Sequence, residues 1–336
     1  MPATPIDLLR NQAKTIIGAL PRLHDGDIEA VHDARVASRR IREVLPLTGD
    51  WYPQGVIDDF AGTFKRIGRN LGRVRDADAR IALLAYLETR IPPAAAPLLA
   101  LQREQERDRL RLLRKLIKRF ERREVARVLD KIAAGPVRNW WPWATSGSRW
   151  PGELRGATAE RAAATREAVE HATGVYFPNR SHQTRIALKK FRYALEIACA
   201  TGGSAAMRDA LRHLKKAQDV LGDLHDRHVL VDDLPKEATP ELDINATHLR
   251  LVTEVVGAEC RDLYARFLRR RPQLLEICRR FERVHRRRVA IAPAAAAVVI
   301  SSAFYVWHHA RMSQPRLHDR GVSVRIPIPD ALQASQ

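Results

Sequence analysis

Cysteine is scarce. Cys199, Cys260 and Cys278 are the only three in 336 residues, and no two stand in a CxxC spacing. That excludes a disulfide framework and a thiolate zinc site, and it fits a reducing compartment. Acidic residues are short as well: 39 Asp and Glu face 58 Lys and Arg, a formal charge of +19. Aromatics amount to 6%, thin material for base-stacking platforms. Alternating, strand-type runs are almost absent; the one example, VSVRIPIP at 322–329, is demoted by its prolines. No GxxxxGK[ST] phosphate loop occurs. The first twenty residues lack a basic start followed by a continuous apolar run, so they do not read as a signal peptide. They read as an amphipathic helix capped by Thr4, with Pro5 at its first position.

What the chain does have is enough apolar residue, 45%, for real cores, which excludes wholesale disorder. Its excess positive charge calls for a polyanion: nucleic acid, inorganic polyphosphate or an anionic membrane surface. Apolar residues recur at three- and four-residue spacing nearly throughout, so the expected fold class is all-α. The first half, 1–135, is expected to hold four helices near 5–20, 27–48, 54–90 and 94–133. A Trp-, Pro- and Gly-rich connection follows at 136–152, carrying Trp140, Trp141, Trp143 and Trp150. Such tryptophans more often plug a seam between bundles than stack on a ligand. A second four-helix half, 153–288, should place helices near 153–174, 179–201, 204–234 and 240–270, with further helix to about 288. The extension 289–336 opens on an uncharged stretch, 289–307, behind the basic run Arg286, Arg287 and Arg288. Its alanines and Pro293 favour an apolar arm over a C-terminal membrane anchor or membrane contact, and either leaves the bulk of the protein cytoplasmic.

The two halves repeat in one register. A shift of 150 residues lays His32, Arg35, Arg39, Arg40 and Arg42 on His182, Arg185, Lys189, Lys190 and Arg192. The same shift lays Lys65 and Arg66 on Lys215 and Lys216, Leu71 and Gly72 on Leu221 and Gly222, and Asp76 on Asp226. Two separated motifs in one register point to duplication, hence two pseudo-symmetric four-helix bundles.

On a helix with His32 at zero, Arg35, Arg39 and Arg42 fall at about −60°, −20° and −80°. Ala34, Ala37, Ile41, Val44 and Leu45 gather on the opposite side. The second copy behaves alike, with Ala187, Phe191, Ala194 and Leu195 behind the row. Like charges at these spacings cost a helix a few tenths of a kcal/mol per pair, so a helix with a purely structural role would intersperse acids. Lys65, Arg66, Arg69 and Arg73 extend the cationic surface in the first half. The second half has Asp219 and Asp223 where Arg69 and Arg73 stood, so the first half should be the more cationic wall. Arg107, Arg111, Arg114, Lys118 and Arg122 are a further candidate wall. One exposed ion pair contributes about 0.2–1 kcal/mol, and micromolar affinity needs about 8 kcal/mol. Roughly ten contacts are therefore needed, which demands a repeating anion.

Enzymatic readings fare worse. His32 and His182 are surrounded by arginines, which would repel a metal dication. His225 and His228, with Asp223 and Asp226, read as a helix-end cluster with capping roles. No nucleophile–base set can be assigned, and no cofactor or metal is implied. Processing of polyphosphate or phosphate esters would need metal-binding carboxylates that the basic faces do not supply. A general nucleic-acid binder is permitted by charge, yet no aromatic residues interleave with the rows apart from Phe191 and Tyr193.

At these positions the sequence resembles the CHAD family, the conserved histidine α-helical domain. The resemblance rests on the spacing of His32 to Arg42, on the second copy ending in Lys189, Lys190, Phe191, Arg192 and Tyr193, and on the stretch Leu221 to Asp226. It spans about residues 5–288. It implies a pair of four-helix bundles around a basic groove or pore, binding of inorganic polyphosphate without catalysis, and association with polyphosphate granules. The residues it assigns to binding are His32, Arg35, Arg39, Arg40 and Arg42, with His182, Arg185, Lys189, Lys190 and Arg192. Lys65, Arg66, Lys215 and Lys216 follow with them. Arg69 and Arg73 come from the charge argument alone. Relatives often carry a triphosphate tunnel domain marked by an ExExK strand; no ExExK occurs here, and that activity does not transfer.

Overall fold

The computed structural model describes residues 3–136, 149–172, 178–237 and 242–290. Among them all regular structure is helical: α1 (Pro5–His24), α2 (Ile28–Val44), α3 (Gln54–Arg90), α4 (Ala95–Phe120), α5 (Arg123–Ala134), α6 (Trp150–His171), α7 (Pro178–Ala200), α8 (Ala205–Glu237) and α9 (Ala246–Ala290), with two short 3₁₀ turns. Trp140, Trp141 and Trp143, the 322–329 run and all but the first two residues of the 289–307 stretch lie outside the described residues. Among the described residues no helix is long and apolar enough to cross a membrane.

Helix starts follow local chemistry. Thr4 and Asp7 form a reciprocal capping box, Thr4 Oγ1 accepting from the Asp7 amide at 3.2 Å and Asp7 accepting from the Thr4 amide at 2.9 Å. Asp27 caps α2 by accepting from the Glu29 amide at 2.8 Å. The α7–α8 turn needs glycine twice. Gly202 has φ +107°, and a Cβ on Gly203 would stand 2.6 Å from the Cys199 backbone.

The predicted single helix over 94–133 is two helices. Arg122 is extended (φ −66°, ψ 130°) without any proline or glycine to force it. Packing is the cause. Leu113, Leu116 and Phe120 of α4 are buried in one core, and the break re-aims Val125, Val128, Leu129 and Ile132 of α5 into the same core, where α5 lies against α1. Tertiary burial overrides the propensity of a helix-favouring stretch.

Two apolar cores result, and they interlock. The first joins α1, α2, α5, the front of α3 and the end of α4, and takes Leu154 of α6 and Ile197 of α7. The second joins α6 to α9 and takes Leu83, Leu84 and Leu87 of α3 with Leu98 and Leu101 of α4. The α3–α4 hairpin of the first half thus ends inside the core of the second. Residues 1–286 form one compact unit. This arrangement holds α2 beside α7 and α3 beside α8, which sets the two repeated faces against each other.

Candidate functional site

Each repeated helix buries the face expected to pack. Ala34, Ala37, Ile41, Val44 and Leu45 are buried, as are Phe191, Ala194 and Leu195 of α7; Ala187, expected on that face, is only half-buried, and Leu188 beside it is buried instead. Phe191 meets Phe281 of α9 edge-on at 5.6 Å between centroids. Burying those faces leaves the cationic rows on the side where α2 and α7 approach.

There the rows converge. Lys189 is half-buried, and its amine is pulled down to about 8 by burial and then by Arg39, Arg185, Arg35 and Arg42. Arg35 is pulled down to about 10 by burial, then by Arg39 and Arg75. Burial likewise lowers Arg185, against partial relief from Asp226. Among the described residues, Arg35, Arg39, Arg42, Arg185 and Lys189 form no ion pair. These five cations from two helices therefore sit together with only partial relief from Asp76 and Asp226, at a cost to the ligand-free fold.

Tyr193 is the floor of this cluster. It is buried, and the guanidinium carbons of Arg39 and Arg192 stand 5.1 and 4.7 Å from its ring centroid. Arg39 also donates to its hydroxyl. Arg75, absent from the sequence reading, meets both Asp76 and Asp226 at 3.5 Å. These aspartates are equivalent in the repeat, and that pairing in the 150-residue register was the available signal for the position. A cavity of about 660 Å³ opens here, lined in part by Arg35, Arg73, Arg185, Lys189, His225 and Asp226.

The remaining residues divide. Arg40 and Arg192 converge on Glu196, at 3.2 and 2.6 Å, and Arg192 also donates to Gln218 at 2.7 Å. Arg66 is bonded to Glu124 of α5. These three guanidiniums tie helices together. Lys65, Arg69, Lys190, Lys215 and Lys216 are exposed and lie outside the cavity lining. So do Arg107, Arg111, Arg114 and Lys118; α4 lines it instead with Gln105, Asp108 and Leu112. Replacing Glu196 with alanine should leave Arg40 and Arg192 without their shared carboxylate and lower stability by about 1–3 kcal/mol. A denaturant midpoint equal to that of the unaltered protein would contradict this.

The histidines are not equivalent. His32 is exposed. His182 lies against His225, with ring centroids 4.8 Å apart and planes tilted by 43°, and its Nδ1 is buried without a hydrogen-bond partner. Burial lowers both, followed by Arg185 and Lys189 for His182 and by Arg185 and His182 for His225. Both His225 and His228 lie in the interior of α8, not at a helix end as expected, because α8 runs on to Glu237. His228 faces Asp232 at 3.2 Å.

The chain matches the CHAD domain over residues 7–235. It belongs to the CHAD domain family. The CHAD domain of the plant Ricinus communis has a similar structure, with a TM-score of 0.58 and 23% identity, over 79% of this chain and 89% of that one. PptA from Streptomyces chartreusis is similar with a TM-score of 0.56 and 19% identity, over 85% of this chain and all of PptA. Both likenesses are of fold. No curated protein matches in sequence.

Proposed function

We propose that this protein binds inorganic polyphosphate, without catalysing its turnover, at the junction of the two repeated helix faces. The observation that carries the reading is the meeting of Arg35, Arg39 and Arg42 with Arg185 and Lys189, half-buried or exposed and with no acid paired to them. Folding alone gains nothing from that arrangement. Burial lowers two of these groups despite nearby aspartates, so the free site is short of negative charge. A chain of phosphates supplies it at close spacing, with several charge-assisted hydrogen bonds at about 1.5–3 kcal/mol each. Membership of the CHAD family agrees, and granule association in the cytoplasm follows from the same ligand. Tyr193, at the centre, is buried beneath Arg39 and offers no stacking surface, which disfavours a nucleic-acid ligand.

Incubation with long-chain polyphosphate and Mg²⁺ tests both parts. The polymer should be retained by the protein and no phosphate released over the uncatalysed background. Failure to retain it rejects the binding reading; steady phosphate release rejects the non-catalytic one.

A further inference from the structure

Lys189 puts a primary amine where the other repeat has the guanidinium of Arg39. For holding an anion an arginine serves at least as well, since it keeps its charge at any accessible pH and bonds phosphate in pairs. A lysine in the same place can lose its proton, and the neutral nitrogen is then a nucleophile. The chain's other lysines are all exposed, and none of them lines the central cavity. Lys189 is half-buried and does line it, in a space of about 660 Å³ that has room for a small molecule.

Its surroundings favour the neutral amine. Burial draws it down to about 8, together with Arg39, Arg35 and Arg42 from α2 and Arg185 from its own helix. From α3 and α8 the cavity presents Asp76 and Asp226, but both meet Arg75 at 3.5 Å. His225 joins them from α8. At pH 7 about a tenth of such an amine is unprotonated, against about four parts in ten thousand for an ordinary lysine. The arginines that depress the amine are also anchors for an anion. The cluster can therefore recruit an electrophile that carries a phosphate and hold it beside a reactive nitrogen.

We propose that Lys189 is an acylation site: a small acyl phosphate, held through its phosphate by Arg35 and Arg185, transfers its acyl group to the Lys189 Nζ. The lone pair of Nζ attacks the carbonyl carbon and a C–N bond forms. The C–O bond to the phosphate breaks, and inorganic phosphate leaves with that electron pair and takes up the proton lost from nitrogen. The resulting amide carries no charge, so one of the five converging cations is removed and the polyphosphate site is weakened. That regulatory consequence rests on the polyphosphate reading above; the acceptor amine does not.

Acetyl phosphate is the probe, and peptide mass spectrometry follows the occupancy of each lysine over time in the full-length protein. Lys189 should be acetylated at least about tenfold faster than the exposed Lys65, Lys190 and Lys215. Arg35→Gln with Arg185→Gln should slow Lys189 and leave the exposed lysines at their former rates, with circular dichroism confirming retained helix. Treated protein should bind long-chain polyphosphate about tenfold more weakly than untreated protein. In Lys189→Arg the ratio of treated to untreated affinity should return to about one. A rate at Lys189 no higher than at the exposed lysines overturns the acceptor site. Preferential acetylation with undiminished polyphosphate affinity overturns the regulation. Preferential acetylation of a protein that never binds polyphosphate upholds the acceptor and rejects the function proposed above.

Discussion

Reversing the row of a single repeat, by Arg185→Glu with Lys189→Glu, is expected to remove polyphosphate binding almost as completely as reversing both rows. Arg185 and Lys189 share their surroundings with Arg35 and Arg39, so one ligand segment is held from both sides. Losing two charge-assisted contacts at about 1.5–3 kcal/mol each corresponds to a loss of at least about a hundredfold, and the new carboxylates add repulsion. The fold should tolerate the change, because glutamates here would face Arg35, Arg39 and Arg75 and relieve repulsion among cations. Arg35→Glu with Arg39→Glu should behave alike. Titration calorimetry with retained helicity is the check. Should the rows be separate sites, each variant would keep half the stoichiometry at unaltered affinity.

Binding should also take up protons near pH 8. The folded Lys189 has its pKa drawn down to about 8, below the ordinary lysine value of about 10.4. Below about pH 8 the amine is charged in folded and unfolded chains alike, and the full penalty of burying it is present. As pH rises from there towards the ordinary value, the folded chain gives up its proton first. The unfolded chain then binds more protons, and this group's contribution to stability rises. A bound polyanion supplies the missing counter-charge and lifts the pKa again. Affinity should therefore fall as pH climbs through about 8, with uptake approaching one proton per site, and Lys189→Met should abolish that uptake. His182 and His225, both lowered by burial, should strengthen binding on acidification below their ordinary range. Calorimetry in buffers of differing ionisation heat measures the uptake; a value of zero near pH 8 would contradict the account.

Much of the scaffold was legible because periodicity and repetition are local. The shift that pairs His32 with His182 also pairs the starts of α2 and α7, at Ile28 and Pro178. The apolar faces of both helices followed from 3.6-residue spacing. The break at Arg122 did not, since its cause is the core that α5 must reach. Partners across the molecule were likewise hidden. Nothing in the row of Arg39 to Arg42 reveals that Arg40 spends its charge on Glu196, more than 150 positions away, while Arg39 does not. Nor does sequence spacing place Asp233 and Glu237 on Arg80, where all three line the central cavity. Arg75 was within reach: it precedes Asp76, whose match to Asp226 was already apparent.

Competition between long-chain polyphosphate and duplex DNA, at equal phosphate concentration and across a salt series around 0.15 M, bears most directly on the central claim. Both ligands will weaken with salt through counterion release. If two opposed cationic rows grip a slender chain, polyphosphate should remain bound at salt concentrations that strip the DNA. DNA binding that matches or exceeds it throughout would mean the rows act as general positive surface, and the account would be wrong.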